Sequence, residues 1–257
     1  MSDAPPDLVS ELPRAMAEGQ VVAFYQPQFD IPTGRIVSAE ALARWLHPQL
    51  GLVPPGTFIP LAEEAGLIND VGDHMIRTAC TAAAEWTSAG LPVEVAVNVS
   101  GTQLRDPLFA ERVLDTVSSV ELDPKLLIIE VTESTAVLDV SVVADRLDWL
   151  RSVGVTISVD DFGTGHSSVE QILGLRATEL KIDQSLVQDE SPSAHTLLAA
   201  VVSFAQNKGL RVVAEGIETD AQLQRVRDLH CDRAQGYFLG RPVPKPEFDS
   251  LLSAANG

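Results

Sequence analysis

Residues 157–168 read ISVDDFGTGHSS: an apolar, β-branched run passes straight into two adjacent carboxylates and then into a glycine-rich turn. The first half suits a pleated, buried strand. Asp160 and Asp161 do not. Two like charges at the end of a buried strand repel, and one takes up a proton unless a cation or strong hydrogen-bond donors hold both ionised. A strand end followed by a helix cap would explain an isolated pair, since acidic residues suit helix N-termini. The company this pair keeps along the chain points instead to a bound cation.

Working outward, the strand-then-polar-turn unit recurs. Residues 21–29 (VVAFYQPQF) and 36–43 (IVSAEALA) read as strands joined by DIPTGR, a connection too short for a parallel crossover. They are expected to be antiparallel neighbours. Beyond them, amphipathic stretches at 58–65, 68–89, 102–119, 140–152, 194–208 and 220–228 alternate with short apolar runs at 93–99, 126–131, 156–159, 179–182, 211–214 and 233–238. Counting the opening pair, eight strands are expected. Strands alternating with helices over this length predict an α/β fold, a modified (β/α)8 TIM-like barrel with one antiparallel strand near the start. Residues 1–18 read as an N-terminal tail with a short helix over 8–18, and 19–257 as one domain without repeat or linker.

Composition narrows the chemistry. With 36 acidic against 18 basic residues the net charge is −18, which argues against binding nucleic acid polymers or anionic membranes through a basic surface. The opening MSDAPPDLVS lacks the basic start and apolar core of a secretory signal, and no apolar run is long enough to insert in a membrane. A cytoplasmic location is expected, with Cys80 and Cys231 reduced. The three tryptophans, Trp45, Trp86 and Trp149, lie on or beside predicted cores.

In a barrel, side chains at the carboxyl ends of the strands converge on one face. Those ends are almost all polar: Glu40, Asn98, Glu130, Asp160 with Asp161, Lys181 with Asp183, Glu215 and Gln235. Any one of the acids could be a solvated loop residue. Six from successive elements make a poor coincidence. Oxygen ligands without histidine or cysteine select hard cations such as Mg²⁺ or Mn²⁺, with Ca²⁺ also able to bind. Carboxylates in this number suffice for two ions, the arrangement suited to in-line displacement at phosphorus. Phosphodiester hydrolysis follows as the leading reaction class, with Lys181 and Arg44 available to meet an anionic ligand.

Nine motifs in order now carry a family identity: YQP (25–27), EALARW (40–45), FIPLAEEAGLI (58–68), VNVS (97–100), EVTE (130–133), DDFGTGHSS (160–168), KID (181–183), AEGIET (214–219) and QGYFLGRP (235–242). Together they resemble the EAL-domain family of cyclic di-GMP phosphodiesterases, over nearly the whole chain. The resemblance implies hydrolysis of cyclic di-GMP to linear pGpG by a water activated by two Mg²⁺ or Mn²⁺ ions, with Ca²⁺ binding but not supporting turnover. It implies that Glu40, Asn98, Glu130 and Asp160 hold one ion, and that Asp160, Asp161 and Glu215 hold the second. Lys181 would touch the attacking water, and Glu215 is the alternative general base. Gln26, Leu42, Arg44, Asp183 and Gln235 match positions in substrate contact. Glu218 would orient Lys181 or a ligand from behind, and Glu133 would anchor the DDFGTG loop. A homodimer is the family expectation, whereas any regulatory domain or partner is unknown. His166 stands where the family more often has tyrosine, which reads as a tolerated substitution or, more sharply, as a pH-sensitive loop.

Three rival functions have less support. Family members that have lost catalysis act as receptors, but every ligand position here is filled by the expected residue type. GHSSV (165–169) nearly spells a nucleophile elbow, yet Val169 stands where that turn needs glycine, leaving Ser167 as a loop or cap residue. No histidine is followed by aspartate, so histidine-based HD-type chemistry has no motif.

Overall fold

The computed structural model describes residues 7–132, 140–163 and 174–256. Ten strands form one sheet that closes on itself. The barrel ring consists of β1 (Val21–Asp30), β2 (Ile36–His47), β4 (Glu94–Val99), β5 (Leu127–Thr132), β6 (Thr156–Phe162), β7 (Glu179–Ile182), β8 (Arg211–Ala214) and β9 (Arg233–Ala234). β1 is antiparallel to both β2 and β9, whereas each pairing from β2 through β4 to β9 is parallel. This is the barrel with one reversed strand that the short DIPTGR connection requires.

Around the ring lie helices α1 (Leu8–Ala17), α2 (Pro55–Glu64), α3 (Ile68–Ser88), α4 (Gly101–Arg105), α5 (Phe109–Ser119), α6 (Val140–Ser152), α7 (Gln184–Gln188), α8 (Pro192–Asn207), α9 (Asp220–Asp228) and α10 (Lys245–Asn256). Strand alternation sorts the side chains into two sets. Outward-facing Val95, Val97, Leu127, Ile129, Ile157, Val159, Leu180 and Val212 join one contiguous apolar core with the helices. The inward set is different. Its buried apolar members, Ala96, Ile128 and Val213, stand apart from that core among polar and charged residues.

Several sequence boundaries need correction. The predicted helix 102–119 is two helices, because the Asp106 side chain accepts the Leu108 N–H and Pro107 cannot continue a helical ladder. The predicted strand 233–238 ends at Ala234. Beyond it Gly236 lies so close to the Ile217 backbone that a Cβ would come within 2.2 Å of it, and Phe238 N–H donates to Ile217 O. Two short strands, β3 (Gly51–Val53) and β10 (Val243–Pro244), extend the sheet beyond the eight expected. Helix α10 was also unforeseen. Its Phe248 is fully buried and stacks with Tyr25 and Trp86, which fastens the chain's end to β1 and α3. Trp45 and Trp86 are buried as expected, but Trp149 is exposed.

Candidate metal centre

The parallel strands deliver their carboxyl ends to one mouth, and local capping turns the chain there. After Asn98 on β4, Ser100 starts α4 with a reciprocal Ser100–Gln103 capping box; after Glu215, Thr219 and Gln222 do the same for α9. Asp183 caps α7, accepting the Ser185 N–H at 2.8 Å.

At the centre is Lys181, fully buried. Its Nζ lies 2.8 Å from Glu215, 3.0 Å from Glu130, 3.2 Å from Asp160 and 3.6 Å from Glu40. Four carboxylates around one ammonium leave the cluster short of positive charge. Burial opposes the Lys181 charge, but the surrounding acids outweigh it and push the pKa well above the ordinary lysine value. Burial, together with repulsion from neighbouring acids, pushes Glu130 and Glu215 well above the usual carboxylate range despite Lys181. Burial opposes ionisation of Glu40 too, but Lys181 and hydrogen bonds from Gln235 and Asn98 hold its carboxyl below the usual range.

The hydrogen bonds form a relay. Asn98 Nδ2 donates to Glu40 Oε1 at 2.8 Å, and Gln235 Nε2 donates to Glu40 Oε2 at 2.6 Å and to Gln26 Oε1 at 3.0 Å. Gln26 Nε2 in turn donates to Gly240 O. Glu40 is thereby held by Asn98 on β4 and by Gln235 just beyond β9. Glu130 is not: neither carboxylate oxygen accepts a hydrogen bond of good geometry. Among the described residues the buried Glu130 carboxylate meets the Lys181 ammonium at 3.0 Å but no hydrogen bond of good geometry, an environment suited to a hard cation.

Asp160 and Asp161 reach the site through a backbone irregularity. Between Val159 and Phe162 the register with β7 slips, so three steps along β6 match two along its neighbour. Asp161 takes a left-handed φ of 60°, and its N–H donates to the Asp160 carboxylate at 2.9 Å. In a regular strand successive side chains point to opposite faces; an extra residue at a bulge re-aims one of them. Two groups of acids can then hold a metal ion: Glu40, Glu130 and Asp160, and Asp160, Asp161 and Glu215, each with ligand oxygens within 4.8 Å of one another. Asp160 belongs to both. Burial, then repulsion from Asp160 and Asp183, raises the Asp161 pKa.

A cleft of about 310 Å³ opens over this centre, lined by Gln26, Glu40, Leu42, Asp160, Asp161, Asp183, Glu215, Glu218 and Gln235. Asn98 faces an adjoining, more apolar cavity of about 710 Å³ that shares Leu42 and Asp161 with the cleft. Arg44 is outside the cleft lining and donates to the Ala43 carbonyl; burial lowers its pKa, opposed by Tyr237 and Glu40. Glu218 is in the cleft wall, and the four acids around Lys181 do not include it. Glu133, His166 and Ser167 lie outside the described residues. Sequence reasoning did not single out Tyr237, which lines the cleft with the Arg241 guanidinium 4.2 Å from its ring centroid. Its place two residues after Gln235 was the available signal.

Both cysteines are free and buried, and burial pushes their thiols up to about 12. Among the described residues, no helix is long and apolar enough to cross a membrane.

The chain matches the EAL domain family over residues 9–242. It is 39% identical over 230 residues to the cyclic di-GMP phosphodiesterase PA2567 of Pseudomonas aeruginosa, covering 89% of this chain and 39% of that protein. It is 40% identical over 241 residues to the bifunctional diguanylate cyclase/cyclic di-GMP phosphodiesterase MucR of the same organism, covering 92% and 35%. The chain therefore spans between a third and two fifths of the length of these relatives. A solved structure described as the PaMucR phosphodiesterase in complex with c-di-GMP superposes with a TM-score of 0.89 at 38% identity, covering 95% of this chain and all of that one. This chain belongs to the EAL domain family.

Proposed function

We propose that the chain hydrolyses cyclic di-GMP to linear pGpG with the help of two Mg²⁺ or Mn²⁺ ions, Ca²⁺ binding without turnover. The observation that carries this reading is the pair of three-carboxylate groups sharing Asp160 at the floor of the cleft. The names of the relatives, with their shared substrate, support the choice of diester.

In this reading Glu40, Asn98, Glu130 and Asp160 hold one ion, and Asp160, Asp161 and Glu215 the other. Bound divalent cations supply Lewis acidity toward phosphate oxygens and water. The chain's own residues do the rest. Lys181 keeps Glu130, Asp160 and Glu215 turned toward one point and offers a donor to the attacking water. The Gln26–Gln235–Glu40–Asn98 relay prevents Glu40 from rotating, which limits the loss of order when substrate arrives. Leu42, Asp183 and Gln235 contact substrate in the cleft, and Arg44 swings from the Ala43 carbonyl to a phosphate. Glu218 steadies the cleft wall, and Glu133 anchors the loop after Asp161. If a single ion binds, Glu215 takes the proton from water.

The same reading places a hydrolase domain over 19–257 after a leading segment through residue 18, in a cytoplasmic homodimer. The test is chromatographic. The protein incubated with cyclic di-GMP should form pGpG with Mg²⁺ or Mn²⁺ and none with Ca²⁺ or EDTA. Binding without product under every metal condition would replace the hydrolase with a receptor.

A further inference from the structure

Below the acidic cluster the barrel interior is polar in a way that the metal centre does not use. Ser158 stands two residues before Asp160, Ser38 two before Glu40, and Gln28 two after Gln26, so all three face inward. Each is fully buried. In register, Gln28 pairs with Ser38, and Ser158 lies between Glu130 on β5 and Glu179 on β7. Interiors of such barrels are ordinarily filled by bulky branched side chains. Here the neighbouring inward positions include the small residues Ser38, Ala96 and Ser158.

The polar atoms in this layer are unmatched. Among the described residues, Gln28 Nε2 and Oε1, Ser38 Oγ, Ser158 Oγ, Glu179 Oε1 and Arg233 Nη1 are buried and meet no hydrogen-bond partner. Each such group costs about 1–3 kcal/mol if left so. The unmet atoms include donors and acceptors alike. The charged groups bordering them, Glu94, Glu179, Arg211 and Arg233, pair off two against two. These four balance one another and offer no net attraction for an ion of either sign. Water, which both donates and accepts, satisfies such a mixture.

We propose that the barrel interior beneath the acidic cluster is a site for ordered water, held by Ser158, Ser38 and Gln28 between Glu130 and Glu179. This water gives the carboxylate of Glu130 a hydrogen-bonded floor, so Ser158 is a positioning residue for it.

The direct test is a high-resolution crystal structure of the wild-type protein. Solvent peaks within hydrogen-bond distance of Ser158 Oγ and the Gln28 amide are expected; a dry interior with these side chains bonded to one another would overturn the proposal. Ser158→Ala keeps the space but removes the anchoring hydroxyl. It is expected to lower Tm by several degrees and to weaken Mg²⁺ binding by calorimetry. A Tm and a Mg²⁺ affinity equal to wild type would likewise overturn it.

Discussion

The two mouths of the barrel are both lined with charge, yet they are opposites. At the carboxyl ends of the strands, four carboxylates converge on Lys181, with Asp161 beside them. At the amino ends, Glu94 and Glu179 meet Arg211 and Arg233, sign for sign. The second arrangement is neutral and complete without help from outside. The first carries an excess of negative charge in a buried place and contains two groups of acids able to hold cations. Buried charge stabilises when balanced; left unbalanced it is a demand for a ligand. One end of the barrel is therefore built for holding the fold and the other is suited to holding cations.

The sharpest way to break this contrast is to remove one acid from each end. Asp160→Asn removes the carboxylate common to both groups and should lower turnover by roughly 10³-fold or more, since metal assistance contributes several kcal/mol. Because it also relieves repulsion, the metal-free variant should melt no lower than wild type. Near-normal turnover in a chromatographic assay would sink the metal assignment. Glu179→Ala acts the other way: it strips Arg211 of a partner and should cost about 3–5 kcal/mol, read as a lower urea midpoint. An unchanged midpoint would mean that the lower charges contribute little.

Cations supply the next test. Mg²⁺ at about a hundred times its Kd should add about 2.7 kcal/mol, raising Tm by roughly 2–4 °C per kcal/mol. EDTA should reverse the gain, and Asp160→Asn should not show it. The smallest effect is a slope with pH. Glu130 and Glu215 have folded pKa values above the ordinary 4.5. Between the two values the folded state binds more protons, so metal-free stability falls as pH rises from the ordinary carboxylate pKa toward the folded one. Lys181, raised above 10.5, works in the same sense, but only in alkali beyond its ordinary pKa. Denaturant melts in EDTA should show the decline as pH rises above the ordinary carboxylate pKa, and Glu215→Gln should flatten it. An equal slope in that variant would assign the decline to the overall charge of −18 instead.

Much was legible beforehand. The alternation of apolar runs and amphipathic stretches announced the barrel, because burial patterns follow the periods of strand and helix. The reversed first strand followed from a six-residue connection. The acids that gather around Lys181 could be named by reading strand ends, since parallel strands must deliver their last side chains to one face. Glu133 and His166, outside the described residues, remain expectations.

What sequence by itself determined is thus local and periodic: strands, helices and an acidic set gathered at one mouth. Only the tertiary structure decided the rest, because it depends on approach between distant segments. The bulge at Asp160 and Asp161 exists because β7 fixes the register on either side of it. The eighth strand stops because Gly236 must pass against Ile217. The pairing of Glu94 and Glu179 with Arg211 and Arg233 joins residues as far apart in the chain as Glu94 and Arg233, and no local pattern marks it. The same holds for Ser158 and Gln28, ordinary polar residues in the chain that become unmatched hydrogen-bonding groups only when the barrel closes over them.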